Sequence, residues 1–159
     1  MRGFGRSNPG IFLMARAASA LLAAMLLAPT ALQPSLAGDT ESLSVRATGF
    51  SNSRGHAVAK LFGPGDTVTG RGRWQVSATI ARGVATFEFG RMPSGDYAAV
   101  VFHDENDNAV IDHNVLGVPS EALGFSNGFR LGLTSGMPTF EKLRFRHGAR
   151  PEVIDITVQ

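Results

Sequence analysis

The sequence contains no cysteine at all. This absence excludes disulfide bonds, thiolate metal sites, cysteine nucleophiles and a lipid anchor attached through cysteine. Charged residues are also few, at 18% of the chain, and the sequence has only one tryptophan and one tyrosine. With 159 residues, the chain has room for one domain. A domain of this size buries a workable core without covalent staples.

The longest apolar run lies near the start of the chain, from Ala17 to Ala28. It follows Arg16, is too short to span a bilayer comfortably, and leads to the small-x-small pattern Ser35-Leu36-Ala37. We therefore predict a signal peptide over residues 1–37, with cleavage directly after this pattern. A translation start at Met14 would give a leader of more usual length. The alternative interpretation is an uncleaved membrane anchor.

The charge of the chain is unevenly distributed. The predicted leader contains three arginines and no acid, so residues 38–159 carry twelve basic and thirteen acidic residues, a net charge of −1. The basic character of the whole chain belongs to the leader, which excludes nucleic acid as a partner. We expect a monomeric domain, periplasmic or secreted, with no membrane span after cleavage.

Residues 38–159 show short runs of alternating apolar and polar residues that glycine and proline interrupt. This pattern is typical of an all-β domain. The seven expected strands are Leu43–Thr48, Ala57–Phe62, Val76–Ile80, Val84–Phe89, Tyr97–His103, Lys142–His147 and Val153–Val158. The fifth is apolar throughout its first six residues, which predicts a central strand covered on both faces.

A tight turn is expected at Pro93 and Gly95, directly before Tyr97. This segment resembles the Pro-x-Gly-x-Tyr start of a strand in carboxypeptidase-regulatory and collagen-adhesin B-type domains, which are transthyretin-like sandwiches. With seven strands, it favours an immunoglobulin-like or transthyretin-like β-sandwich over a closed barrel. The segment 104–139 forms one long loop, and loops of this length in a compact domain are usually functional.

Oxygen-bearing side chains alternate in the acidic loop, residues 104–112. The candidate calcium ligands are the side chains of Asp104, Asn106, Asn108 and Asp112, the backbone carbonyl of Val110, and the carboxylate of Glu121. The first five occupy positions one, three, five, nine and seven of an oxygen-ligand loop. An EF-hand would have glycine and glutamate where this chain has Ala109 and Val115, so the loop is not an EF-hand. The alternative is that these side chains only cap turns of their own backbone.

The segment Gly117–Asn127 follows the acidic loop and reads Gly-Val-Pro-Ser-Glu-Ala-Leu-Gly-Phe-Ser-Asn. Together with His103–Asp112, it resembles the bacterial family known as domain of unknown function 2141, over roughly Leu43 to Val158. The resemblance implies an exported β-domain and no assigned chemistry. The family usually has glycine at the positions of Asp107 and Ala109, so the backbone here is less permissive than in its relatives.

The remaining candidates also have structural alternatives. His103 ends a strand and could bind a transition metal together with His113. The role that we favour for His103 is a hydrogen bond that pins the long loop to the sandwich. We expect Phe125 to anchor that loop in the core, with Ser126 and Asn127 as local hydrogen-bond groups. We expect the two other histidines, His56 and His147, at the surface.

Two enzyme hypotheses arise from these residues. Residues 124–128 fit the Gly-x-Ser-x-Gly form of a hydrolase nucleophile, but the α/β sheet that this motif needs is absent, so we reject it. General acid-base hydrolysis of a carbohydrate or peptide would require His103, Asp104 and Glu121 to converge in one pocket.

A basic aromatic surface is the last candidate. Its members would be Arg71, Arg73, Trp74, Arg144 and Arg146. Such a surface could bind acidic glycans or lipid headgroups, although alternating arginines more often form a solvated strand face. The sequence therefore favours an exported binding or structural module, with a protein or glycan ligand in the cell envelope.

Overall fold

The computed structural model describes residues 39–115, 119–132 and 134–159. The predicted signal peptide lies outside these residues, as do Gly117 and Val118 of the family-like segment. Within the described parts of the chain, no helix is long and apolar enough to cross a membrane.

The described residues form eight strands and one short helix. In chain order, the elements are β1 (Thr40–Thr48), β2 (His56–Phe62), β3 (Trp74–Ala78), β4 (Val84–Pro93), β5 (Gly95–Asp104), β6 (Leu123–Phe125), α1 (Phe140–Leu143), β7 (Phe145–His147) and β8 (Glu152–Thr157). The all-β class is confirmed. The predicted strand Lys142–His147 is wrong in its first half, where α1 ends, and β6 was not predicted.

The strands make two sheets. The three-stranded sheet has the order β4-β1-β8, with β1 antiparallel to β4 and parallel to β8. The five-stranded sheet has the order β3-β2-β5-β6, and β7 pairs with the first residues of β5. Strand β5 lies inside the sheet and its residues 97–104 are buried, which confirms the predicted central strand.

The inner face of the five-stranded sheet packs on the three-stranded sheet through one apolar core. Leu43, Val45 and Phe87 enter this core from β1 and β4. Leu61 and Val101 enter it from β2 and β5. All five are fully buried, because alternation along each strand directs every second side chain to the same face.

The outer face of the same sheet is buried too, but under irregular chain. Its strand residues include Val58, Val100 and Phe102, and Val68 from the β2–β3 loop and Leu143 from α1 pack on them. Strands covered on both sides are expected to be apolar almost throughout, as β2 and β5 are. The outer face therefore depends on loops for its cover.

The position of β6 depends on one glycine. A Cβ atom at Gly124 would lie 2.6 Å from Cγ2 of Ile156 and 3.0 Å from the carbonyl oxygen of Thr157, so only glycine fits at this contact with β8. Leu123 and Gln159 exchange backbone hydrogen bonds of 3.1 and 3.0 Å. These contacts join the edge of the five-stranded sheet to the chain that follows β8.

Candidate functional site

The acidic loop begins where β5 ends, and its first residue, Asp104, is buried. Its Oδ1 accepts the backbone N–H of Asn108 at 3.0 Å, and its Oδ2 accepts that of Ala109 at 2.7 Å. Oδ1 of Asn106 accepts the N–H of Asn108 at 3.2 Å, and Oδ1 of Asn108 accepts that of Val110 at 2.8 Å. These side chains therefore cap the backbone of their own loop.

The loop also brings three carboxylates together. The carboxylate of Asp112 accepts the side-chain N–H groups of Asn106 at 2.7 Å and Asn108 at 3.1 Å, and Glu121 accepts the backbone N–H of Asp112 at 3.2 Å. Burial is the main cause that raises the pKa of Glu121, and the charges of Asp104 and Asp112 raise it as well. Asp104, Asp112 and Glu121 thus lie within electrostatic reach of one another.

The described residues contain no group of three His, Cys, Asp or Glu side chains arranged to hold a metal ion. A calcium ion at this loop would therefore have to take asparagine and backbone oxygens in addition to carboxylates, as calcium loops do. The backbone suits such a loop at Ala109, which has φ +60° at the sixth position, where calcium loops use glycine. Asp107 has φ +59°. The two positions where the resemblance expects glycine are therefore both left-handed.

His103 lies apart from this cluster. Consecutive strand residues face opposite sides, so its side chain lies on the inner face and that of Asp104 on the outer face. The His103 ring is 1% exposed, packs edge-on against Phe50 with 5.5 Å between centroids, and places Nε2 2.8 Å from the carbonyl oxygen of Arg54. It therefore contacts the β1–β2 loop. The structure does not bring His103, Asp104 and Glu121 into one constellation.

The two histidines predicted at the surface, His56 and His147, differ in burial. His56 is exposed, as predicted, and its Nδ1 lies 2.6 Å from a carboxylate oxygen of Asp107. The prediction for His147 is wrong, because β7 folds back onto β5 and leaves that side chain with no exposed surface. Its Nδ1 lies 3.2 Å from Glu152, and its Nε2 lies 3.2 Å from the carbonyl oxygen of Glu41.

Ser126 is fully buried and bonded to backbone. Its Oγ accepts the N–H of Ala99 at 2.9 Å and donates to the carbonyl oxygen of Leu143 at 2.6 Å. Asn127 donates from Nδ2 to the carbonyl oxygen of Lys142 at 3.1 Å. Both side chains therefore hold α1 next to β5 and β6.

Most arginines of the predicted basic surface have acidic partners. Arg73 lies 2.8 Å from a carboxylate oxygen of Asp66. Arg144 and Arg146 share Asp96, with N···O distances of 3.6 and 3.3 Å. These side chains form ion pairs at the surface and do not present a concentrated positive face.

A cavity of about 940 Å³ opens on the outer face, between the acidic loop and the β2–β3 loop. A row of four residues in register crosses its floor, one from each of the strands β3, β2, β5 and β6: Gln75, Lys60, Val100 and Phe125. Residues 68–73 and 108–111 are among the lining on either side. We call this cavity the outer-face pocket.

The rim of the outer-face pocket is apolar and exposed. Val110, Leu131 and Met137 line it, with 59%, 38% and 69% of their surfaces exposed. Phe125 is buried at its floor and packs edge-on against Phe129, with 5.3 Å between ring centroids. Exposed apolar side chains that converge on a concavity are typical of a binding site.

One lysine side chain that is largely buried lies at the floor. Lys60 is 8% exposed and its Nζ lies 5.0 Å above the ring of Phe102. Burial lowers the pKa of Lys60 and the nearby charge of Arg71 lowers it further, whereas Glu121 raises it. Within the described parts of the chain, neither the side chain of Lys60 nor that of Arg71 makes a hydrogen bond or an ion pair, and no Asp or Glu lines the pocket.

A family model matches residues 45–155, which include the acidic loop and all four floor residues of the outer-face pocket. The family is described as uncharacterized protein conserved in bacteria, DUF2141. This chain belongs to the DUF2141 family. No curated protein and no solved structure matches it.

The motifs that indicated DUF2141 did not reveal the pocket. The acidic loop supplies only one wall, whereas the floor comes from strands that are distant in sequence. One feature of this DUF2141 sequence could have indicated the pocket, because Lys60 interrupts the otherwise apolar run Ala57–Phe62. A single lysine in a strand covered on both faces indicates either an unusual burial or a polar partner.

Proposed function

We propose that this protein is an exported binding module whose ligand site is the outer-face pocket. The observation that carries the proposal is the cavity of about 940 Å³ with a largely apolar lining. Pockets for small molecules are concavities of roughly 300–1,000 Å³ with apolar walls and a few placed polar groups. The size and chemistry of the outer-face pocket both fit this description.

The exposed rim supports the same proposal. Val110, Leu131 and Met137 remain in contact with water, although each would gain about 25 cal/mol for every Å² of apolar surface removed from it. A ligand that covers them recovers that free energy. A glycan would need many hydrogen-bond partners, whereas most of the surface that lines the pocket is apolar. A small apolar molecule is therefore the favoured ligand, ahead of a glycan or an envelope protein.

Calcium is the second part of the proposal, with the acidic loop as its site. Alternating oxygens, the left-handed backbone at Ala109 and the shared location of Asp104, Asp112 and Glu121 support it. A bound cation would offset the repulsion among these carboxylates and hold one wall of the pocket. The asparagine side chains would then turn their oxygens to the ion.

The remaining features of the proposal come from the sequence. The leader-like residues 1–37 support export. The absence of cysteine excludes disulfide-linked oligomers, and a monomeric domain stays our prediction. The immunoglobulin-like or transthyretin-like type of sandwich also stays a prediction, since two sheets with eight described strands fit more than one such type.

An uncharged solvatochromic dye, Nile red, tests the pocket. We expect saturable binding of one dye per chain with a blue shift, and about tenfold weaker binding by Leu131→Ser/Met137→Ser, which removes apolar rim. Val153→Ser is the matched control, because Val153 is also exposed but lies on β8, away from the pocket. Binding that these rim changes leave unaltered would contradict the proposed site.

Thermal unfolding in chelator and then in millimolar calcium tests the acidic loop. A ligand at a hundred times its dissociation constant stabilises the folded state by about 2.7 kcal/mol, so calcium should raise the melting temperature. Asp104→Ala should lower the melting temperature in chelator, because two backbone N–H groups lose their acceptor. It should also abolish the rise with calcium.

Magnesium and zinc serve as controls for the same measurement. An equal response to all three ions, or a calcium response that survives Asp104→Ala, would remove the acidic loop as the site. The dye experiment is unaffected by that result, because it tests the pocket itself.

A further inference from the structure

The floor of the outer-face pocket combines two unlike features. Val100 and Phe125 make it apolar, yet the row that contains them also contains the amine of Lys60. An amine at the centre of an apolar surface loses hydration, which is unfavourable unless an opposite charge or a hydrogen-bond acceptor approaches it. Among the described residues, none makes a hydrogen bond or an ion pair with this amine. The Phe102 ring lies 5.0 Å from it, and Glu121 is the opposite charge that acts on it without forming an ion pair.

A second cation without an acidic partner among the described residues lines the same pocket. Arg71 lines the pocket from the β2–β3 loop, is exposed, and has no acidic partner among the described residues. Its neighbour Arg73, two residues on, is by contrast paired with Asp66. Lys60 and Arg71 are close enough for the charge of Arg71 to lower the pKa of Lys60. An anion bound near both would relieve this repulsion.

The unpaired charges that line the pocket are therefore positive. Lys60 and Arg71 are unpaired cations, and no carboxylate lines the cavity. The apolar rim of Leu131 and Met137 and the floor of Val100 surround them. A ligand complementary to this arrangement has one anionic group and an apolar body.

We propose that the outer-face pocket binds a long-chain monocarboxylic acid, a free fatty acid, with its carboxylate at Lys60 and Arg71 and its chain against the apolar floor and rim. This inference rests on the proposed binding function and specifies its ligand class. Lys60 supplies a charge-assisted hydrogen bond in a site of low dielectric, and Arg71 adds a second donor at the opening. The exposed apolar rim covers the part of the chain that the floor does not reach.

Calorimetric titration with three twelve-carbon probes below their micelle concentrations tests the proposal: dodecanoic acid, dodecanol and dodecylamine. They share an alkyl chain and differ in the charge of the head. We expect the acid to bind at least tenfold more tightly than the alcohol, and the amine to bind least. The preference for the acid should decrease as salt increases, because Arg71 is exposed.

Variants then locate the carboxylate. Lys60→Met should remove most of the preference for the acid over dodecanol, because methionine retains a chain of similar length but no charge. Arg71→Gln should reduce the preference by a smaller factor. Arg150→Gln is the matched control, since Arg150 is exposed and does not line the pocket. Circular dichroism and melting of each variant confirm that it is folded.

The possible results distinguish the fatty-acid proposal from the more general binding function. Equal binding of acid and alcohol would overturn it and leave the binding function, which the neutral dye tests separately. A preference for the acid that neither Lys60→Met nor Arg71→Gln reduces would place the carboxylate elsewhere and overturn it too. Failure of all three probes together with failure of the dye would overturn the binding function itself.

Discussion

The two faces of the five-stranded sheet differ in how their cover is built. The inner face meets another sheet, and residues such as Leu61 and Val101 are fully buried by a regular partner. The outer face meets loops and a four-residue helix, and a cavity remains above Val100. Sheets that pack on each other interdigitate closely, whereas irregular chain leaves space. The difference places stability on the inner face and the candidate site on the outer face.

The difference also appears in the strands themselves. On β2, Ala57, Ala59 and Leu61 face inward, while Val58 and Lys60 face outward. Only the outward set contains a charge. A lysine on the inner face would have no route to solvent, whereas the outer-face pocket gives the Lys60 amine an opening. The strand therefore carries two different constraints on alternate residues.

Truncating one phenylalanine on each face of the five-stranded sheet tests this difference in packing. We expect Phe87→Ala, on the inner face, to lower the free energy of unfolding by about 4 kcal/mol, and Phe125→Ala, on the outer face, by about 3 kcal/mol. The smaller value reflects the adjoining pocket, where Phe125 already borders open space. Denaturant unfolding, with and without calcium, measures both values.

Phe129→Ala is the control, since Phe129 is only partly buried and packs on the edge of Phe125. It should lower the free energy of unfolding by about 1 kcal/mol. If Phe125→Ala were no more destabilising than this control, Phe125 would not anchor the outer face, and the cover would depend on other residues.

One residue of the acidic loop, Ala109, has a strained backbone, and its replacement should stabilise the protein. Ala109→Gly should raise the free energy of unfolding by about 1 kcal/mol, because a non-glycine residue at φ +60° is strained there. Ala149→Gly provides the control, since Ala149 is exposed and lies outside the left-handed region. That change should be neutral or destabilising by about 0.5 kcal/mol. Equal effects of the two changes, measured by denaturant unfolding, would contradict the strain at Ala109.

Sequence reasoning worked where a structural property is local. The alternation of Leu43, Val45 and Ala47 predicted β1 and its buried face, because every second side chain on a strand shares a face. The Asp and Asn spacing likewise identified a loop whose side chains bond its own backbone and one another. It failed at β6, because that strand exists through pairing with β5 and through the contact of Gly124 with Ile156, both distant in sequence.

The pocket was missed for the same reason. Its floor joins Gln75, Lys60, Val100 and Phe125, which no segment of the chain holds together. The first half of the predicted strand Lys142–His147 belongs to α1 instead. This difference also has a tertiary cause, because Leu143 packs on the outer face from a helical turn. Such contacts override local propensity, and periodicity alone does not contain them.

Replacing Lys60 with methionine would make the outer face as apolar as the inner one. We expect this change to raise stability and to weaken binding of the acid. Because burial lowers the pKa of Lys60 in the folded protein, the unfolded chain binds more protons between that pKa and the ordinary value of 10.5. The contribution of Lys60 to stability therefore rises with pH in this window and is least favourable at neutral pH. Lys60→Met should raise the melting temperature at neutral pH by about 2 °C.

The advantage of Lys60→Met should shrink as the pH approaches 10.5, where wild-type Lys60 is increasingly neutral in both states. Arg150→Met is the control, because Arg150 is exposed and does not line the pocket, and its effect should be the same at both pH values. Scanning calorimetry at neutral and alkaline pH measures the difference. A Lys60→Met protein that is less stable than wild type at neutral pH would mean that the amine stabilises the outer face by itself. A gain in stability together with lost acid preference would instead mean that the lysine is retained for its ligand, since functional groups are often kept at the expense of stability.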